Sequence, residues 1–246
     1  MKAVFLSDIH LGAAYIADPR QHEQRVVDFL RSDECSHTDE LYLLGDILDY
    51  WFEYRNVVPR GYIRFFGELA HMADAGVKIT WMTGNHDIWL FDYLRDEIGI
   101  EIEDAPYIVR KISGKNFLLA HGDRLGEEPW SFRFLCKLFR NKTCQKLYSG
   151  IHPRWTVPFA HNWSRSSRGK SAEEGMDLVK LALEGASHLA SKVPGIDYIV
   201  EGHHHILLNE KLPEGPQLVV LGDWIDKFSY AVFDGENLVL KQFVDK

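Results

Sequence analysis

The stretch KAVFLSD (residues 2–8) runs through four consecutive apolar residues and closes on Ser-Asp. An apolar run with no polar alternation reads as a strand buried on both faces, the kind a parallel sheet uses. The pattern recurs along the chain. ELYLLGD (40–46), VKITWMTGNHD (77–87), NFLLAHGD (116–123), DYIVEGHHH (197–205) and QLVVLGD (217–223) each end an apolar run in Gly, Asp, Asn or His. Helical stretches lie between them. DPRQHEQRVVDFLRSD (18–33) places Pro19 just inside a helix start, with an apolar stripe at Val26, Phe29 and Leu30. PRGYIRFFGELAHMADAG (59–76) is predicted as a helix opened by Pro59 and closed by Gly76. SAEEGMDLVKLALEGASHLASK (171–192) is helix-like as well. Strands alternating with helices predict a layered α/β fold. The closing FSYAVFDGENLVLKQF (228–243) turns at Asp234-Gly235 as a hairpin, so part of the sheet is predicted antiparallel.

The stretch from about residue 124 to 170 breaks this alternation. It mixes bases with Trp130, Phe132, Phe134, Leu135, Leu138, Phe139, Leu147, Tyr148, Trp155, Phe159 and Trp163, and reads as an inserted helical cap on a single domain spanning 1–246. The chain carries a net charge of −8, yet residues 124–170 hold ten Lys/Arg against two Asp/Glu, a local +8 that leaves −16 elsewhere. Such asymmetry points to a segment that meets something anionic. At 246 residues and 46% hydrophobic, the chain is long and apolar enough for a real core. It has no apolar stretch of the roughly 20 residues needed to span a bilayer. The opening MKAVFLSDIH turns acidic too soon for a signal peptide, so a cytoplasmic protein is expected. Cys35, Cys136 and Cys144 are odd in number, lack metal-type spacing and are expected reduced.

In open α/β sheets ligands gather beyond the carboxyl ends of the strands. The five endings SDIH, LGD, GNHD, AHGD and GHHH should therefore converge. By type they offer Asp8, His10, Asp46, Asn85, His121, His203 and His205, enough to hold two metal ions. Oxygen ligands with neutral imidazoles and no thiolate suit Mn²⁺, Fe²⁺ or Zn²⁺. Two ions roughly 3.5–4 Å apart can share a carboxylate and a hydroxide that is nucleophilic at neutral pH. The three consecutive imidazoles of EGHHHI (201–206) fit either a loose metal tract or a selected pair. In extended backbone His203 and His205 would face one side and His204 the other. His22, His37, His71 and His188 read as surface or core histidines, and His152 and His161 as candidates to meet substrate. Asp49, Asp123 and Asp223 suit helix caps or turns as well as function.

This set resembles the calcineurin-like metallophosphoesterase superfamily, whose pattern D-x-H, GD, GNH(D/E), H, GHxH is matched in order by Asp8 and His10, Gly45-Asp46, Asn85-His86-Asp87, His121, and His203 with His205. The resemblance implies a four-layer αββα sandwich of two mixed sheets flanked by helices. It also implies that Asp8, His10 and His205 hold one ion, that Asn85, His121 and His203 hold the other, and that Asp46 bridges them. His86 would lie beside the phosphate as charge stabiliser or proton donor, oriented by Asp87.

A narrower resemblance rests on the chain's size, the FLSDIHLG opening, HGD and the basic helical insertion before GHxH. These are similar to the UDP-2,3-diacylglucosamine diphosphatases of lipid A synthesis. That likeness implies Mn²⁺-dependent hydrolysis of a lipid-linked UDP-sugar at its pyrophosphate, giving UMP and 2,3-diacylglucosamine 1-phosphate. It further implies work at the cytoplasmic face of the inner membrane, contacted through the basic aromatic cap. Neither a nucleic-acid partner nor an obligatory protein partner is expected. SRSSRGKS (164–171) resembles the substrate-contacting stretch of that family, which makes Arg168 and Lys170 candidates for phosphate contact, with Asn85 beside them. The chain departs from the best-known members at His86, where they carry Arg, and at His204, where Thr is usual. Those departures keep open another metallophosphoesterase, acting on a nucleotide, dinucleotide or nucleic acid. A scaffold that has dropped its metals would lack a ligand, and none is missing.

Overall fold

The computed structural model describes residues 1–125, 130–156, 177–213 and 215–244. The elements run β1 (Ala3–Leu6), α1 (Pro19–Leu30), β2 (Glu40–Leu44), α2 (Ile63–Asp74), β3 (Lys78–Met82), α3 (Tyr93–Ile98), β4 (Glu101–Glu103), β5 (Ile108–Ile112) and β6 (Lys115–Leu119). Then follow α4 (Trp130–Arg140), α5 (Lys142–Ser149), α6 (Leu178–Lys192), β7 (Tyr198–Glu201), β8 (Leu207–Lys211), β9 (Gln217–Leu221), β10 (Ser229–Phe233) and β11 (Leu238–Gln242).

The strands form two mixed sheets. A six-stranded sheet has the order β11-β10-β1-β2-β3-β4, and a five-stranded sheet the order β5-β6-β7-β9-β8. In the first, β1 to β4 are parallel and the β10–β11 hairpin joins β1 antiparallel. In the second, β6, β7 and β9 are parallel, with antiparallel edges β5 and β8.

Successive strand side chains point to opposite faces, so a strand apolar at every position is buried on both. Val4 and Leu6 of β1 pack with Val26, Phe29 and Leu30 of α1 and Phe65 and Leu69 of α2. Ala3 and Phe5 face the other way, against Phe117, Leu119, Val200, Val219 and Leu221 of the second sheet. Phe5 stacks on Tyr42 and Phe117 at ring separations of 5.2 and 5.6 Å. The far face of the second sheet, Leu118, Ile199, Leu218 and Val220, meets Ala182, Ala186 and Leu189 of α6. Helices, sheet, sheet, helix is the four-layer order.

Helix α1 starts where Asp18 accepts hydrogen bonds from the amides of Arg20 and Gln21, with Pro19 at the first position. Helix α2 corrects the expectation of an opening at Pro59. Gly61 and Tyr62 both have positive φ, 121° and 59°, and left-handed backbone cannot continue a helix, so α2 begins at Ile63. In the helix-like run 171–192, the described helix begins at Leu178, capped by Asp177, and residues 171–176 lie outside the described residues.

The interrupting segment is helical where it is described, as α4 and α5. It is fastened to the core by a hydrophobic cluster of Tyr50, Phe52, Ile88 and Trp89, onto which Phe139 and Tyr148 pack. Trp89 stacks on Tyr148 at 5.2 Å and its indole N–H donates to the Phe139 carbonyl at 2.9 Å. The outer face is bare: Trp130, Phe134 and Leu138 of α4 are 80, 61 and 40% exposed. Among the described residues no helix is long and apolar enough to cross a membrane.

Candidate metal centre

The loops that leave β1, β2 and β3 come off the same end of one parallel sheet, and those that leave β6 and β7 come off the same end of the other. Backbone hydrogen bonds tie them together. Asp8 and His10 donate to the carbonyls of Gly45 and Asp46 at 3.1 and 2.9 Å, Gly202 donates to His121 at 2.8 Å, and Trp224 to Asp8 at 3.0 Å. Asp8, His10, Asp46, His203 and His205 all have φ between 51° and 66°. Left-handed backbone at a non-glycine residue is strained and collects at functional sites. It also changes why the GHHH pair works. The strand stops at Glu201, so His203 and His205 are aimed by two left-handed residues rather than by extended alternation.

Three groups of side chains result. Asp8, His10 and His205 form one, and Asp46, His121 and His203 another, each with ligand atoms within 4.8 Å of one another. His10, Asp49 and His86 form a third, sharing His10 with the first. Asp46 lies between them: its Oδ2 is 3.4 Å from His121 Nε2, 3.7 Å from His10 Nε2 and 4.0 Å from His86 Nε2. Its Oδ1 accepts the His86 amide at 2.8 Å. Asp8 Oδ1 faces His205 Nε2 at 3.3 Å and His10 Nε2 at 3.7 Å, while Oδ2 accepts from Ser7 Oγ and the His203 amide. Asn85 Oδ1 stands 3.1 Å from His121 Nε2. Two glycines make room for these carboxylates. A Cβ on Gly84 would collide with Asp46 Oδ1, and one on Gly202 with Ser7 Oγ and Asp8 Oδ2.

The imidazoles are oriented from behind. His121 Nδ1 donates to the Leu44 carbonyl at 2.8 Å, so Nε2 is the nitrogen turned to the site. His10 Nδ1 faces Asp49 Oδ1 at 3.4 Å, and His205 Nδ1 faces Asp223 Oδ2 at 3.7 Å. Asp223 is itself held by the amides of Ile225 and Asp226 and by Lys227 Nζ at 2.6 Å. Behind the Asp8–His10 turn, buried His22 of α1 donates from Nε2 to the Ile9 carbonyl at 2.7 Å. Asp49, Asp223 and His22 thus stand behind the site, although the sequence contexts of the two aspartates suit caps or turns as well as function and that of His22 reads as a surface or core histidine. Only the fold shows what each faces.

Burial opposes charge on Asp8 and Asp46, but the surrounding imidazoles outweigh it and hold both carboxyls well below the usual carboxylate range. His121 is the counterpart: despite burial, Asp46 and Asp8 push it up to about 10. Burial drives His203 well below the usual imidazole range and His204 down to about 4.

His86 Nδ1 lies 3.1 Å from the Asp49 carbonyl and 3.5 Å from its carboxylate, with Nε2 turned toward Asp46. The expected partner Asp87 is engaged elsewhere. Its carboxylate accepts from the amides of Gly84, Asp46 and Ile47 and from the Trp81 indole, at 2.7 to 3.2 Å. It therefore fixes the Asp46 loop, and Asp49 is the residue beside His86. Burial and Asp46 push Asp87 up to about 6. Arg168 and Lys170, the candidates for phosphate contact, lie outside the described residues.

The donor set fits divalent cations. Asp8 Oδ1 is fully buried, meets no hydrogen-bond geometry, and lies 3.3 and 3.7 Å from the Nε2 atoms of His205 and His10. An ionised oxygen in that position needs a cation.

Comparison with known proteins agrees with this chemistry. Residues 1–207 match the sequence profile of the calcineurin-like phosphoesterases. The UDP-2,3-diacylglucosamine hydrolase of Porphyromonas gingivalis is 39% identical, covering 99% of this chain and 98% of its own. The enzyme of the same name from Nitrosococcus oceani is 26% identical, covering 91% of this chain and 88% of its own. Among solved structures, the Escherichia coli phosphoesterase YfcE superposes with a TM-score of 0.51 at 19% identity, over 98% of this chain and 93% of that one, which is a likeness of fold.

Proposed function

The chain belongs to the calcineurin-like phosphoesterase family, and we propose that it hydrolyses the pyrophosphate of UDP-2,3-diacylglucosamine, giving UMP and 2,3-diacylglucosamine 1-phosphate. It is a metal-dependent hydrolase, and the observation that carries the reading is the pair of carboxylate–imidazole clusters that meet at Asp46. Asp8, His10 and His205 would hold one divalent ion, Asn85, His121 and His203 the other, with Asp46 shared. Mn²⁺ is the metal favoured by the narrower resemblance, and Fe²⁺ or Zn²⁺ suits the same donors. Such a pair supplies, when bound, an activated water and charge neutralisation at phosphorus.

The protein's own groups do the rest. Asp49 accepts the Nδ1 proton of His86, which leaves Nε2 turned toward the Asp46 oxygen at 4.0 Å. With Nε2 protonated as well, the His86 imidazolium can pass that proton to the departing phosphate oxygen and keep the one on Nδ1. Asp49 and Asp223 keep His10 and His205 presenting Nε2 inward. Arg168 and Lys170 remain candidates to meet the pyrophosphate from the cap, read as an insertion at about 124–170 in a single 1–246 domain.

The bare face of α4 supports a location at the cytoplasmic surface of the inner membrane. Trp130, Phe134 and Leu138 recur every fourth residue on one face, with Lys137, Lys142 and Lys146 nearby in sequence. An apolar face flanked by bases suits a lipid substrate whose head is anionic. The test is hydrolysis of UDP-2,3-diacylglucosamine against UDP-sugars without acyl chains. The acylated substrate is expected to be strongly preferred; equal rates would remove the lipid assignment.

A further inference from the structure

One corner of the cap touches the metal loop on both sides. Arg140, the last residue of α4, donates from Nη2 to the carbonyl of Gly84 at 2.9 Å, one residue before Asn85. Its neighbour Phe139 offers its carbonyl to the indole of Trp89, three residues beyond His86, at 2.9 Å. The Asn85–His86 turn is thus gripped at Gly84 and at Trp89 by two consecutive residues of the cap. The grip is braced. Arg140 Nε donates to Asp104 Oδ1 at 2.9 Å, and that same oxygen accepts from Thr83 Oγ1 at 2.7 Å. Asp123, two residues past His121, lies 3.7 Å from Arg140 Nη2. The Arg140 side chain is only 13% exposed.

A planar guanidinium can bridge a carbonyl and a carboxylate in fixed geometry, which an ammonium cannot. We propose that Arg140 is a positioning residue, through which the cap sets the geometry of the Asn85–His86 turn and so the affinity of the second ion. The proposal rests on the two-ion reading. It adds that the cap is part of the metal centre's support as well as a cover for substrate.

The experiment is Mn²⁺ titration of metal-free full-length protein, followed by calorimetry and by electron paramagnetic resonance of the loaded centre. Wild type is expected to take up two ions. Arg140→Gln should weaken one of them by roughly 10–100-fold, the usual effect of losing a group that orients a ligand, and leave the other within threefold. Asp104→Asn, at a half-exposed site where folding is not at stake, should weaken the same ion less. The double variant should match Arg140→Gln alone, because both act through one chain of contacts. Arg140→Lys should not restore the affinity, and Lys137→Gln on exposed α4 should leave it unchanged. Two ions bound with wild-type affinity in both Arg140→Gln and Asp104→Asn would overturn the role of Arg140, as would equal weakening of both ions. Fewer than two ions in wild type would overturn the two-ion reading itself.

Discussion

His203 and His205 enter different clusters from backbone of the same left-handed kind, and His204 between them is part-buried with its ring against His203. Alanine at His203 or His205 should each lower activity by on the order of 100-fold or more, since each removes a group that would hold metal. His204→Thr should stay within about twofold, because His204 belongs to none of the three groups. An inactive His204→Thr enzyme would mean that the wrong pair is assigned. Glu201 gives a second test. It is buried, its Oε1 has no donor, and burial pushes it up to about 8 from an ordinary 4.5. Between those values the unfolded chain has released this proton and the folded metal-free protein has kept it. The folded state therefore binds more protons, and its stability falls as pH rises across that window, by up to about 1.4 kcal/mol per pH unit from this group. Glu201→Gln should flatten the slope in denaturant titrations of metal-free protein at pH 5 to 8; an unchanged slope would rule out the neutral carboxyl. The ligand residues are legible in sequence because Asp, Asn and His at the ends of apolar runs are placed by the strand itself. Asp49, Asp223 and His22 are not, because what they support lies across the fold: Asp223 faces His205, and His22 reaches the Ile9 carbonyl from α1.

Among the elements, β1 shows how far strand reading reaches. Its alternate residues divide between two different cores, Val4 and Leu6 toward the helices and Phe5 toward the second sheet. Phe5→Ala should destabilise by about 3–5 kcal/mol, because its fully buried ring leaves a cavity between two sheets that cannot close independently. Chemical denaturation measures it, and a loss below about 1 kcal/mol would contradict the packing. Continuous apolar runs made β1, β2, β3, β6, β7 and β9 readable. The edge strands escaped for the converse reason. β8 buries only Leu208 of its five residues, and β4 buries none, so neither carries an apolar signature. The opening of α2 was misplaced because proline signals a helix start only where the backbone after it is right-handed. Here Gly61 and Tyr62 turn it the other way. In the cap, helix was legible from composition, whereas its anchorage was not: Arg140 reads as one base among many until Gly84 is found beside it.

At the scale of the whole molecule, the two mixed sheets follow from chain order only in part. Alternation predicts parallel strands, but nothing in the local pattern says that β10 crosses back to pair with β1 while β9 pairs with β7. That division decides where the site lies. Asp8, His10, Asp46 and Asn85 hang from the first sheet, and His121, His203 and His205 from the second, and the Asp8–His10–His205 and Asp46–His121–His203 clusters each draw on both. Bound metal would therefore act as a rivet through the seam between the sheets, closing it at one end only. Loading with Mn²⁺ should raise the melting temperature with metal concentration, as any ligand specific to the folded state does. Chelation should speed amide exchange at the riveted ends of β1, β2, β6 and β7 and leave the opposite ends little changed. Uniform protection along those strands would mean that the seam holds without its rivet.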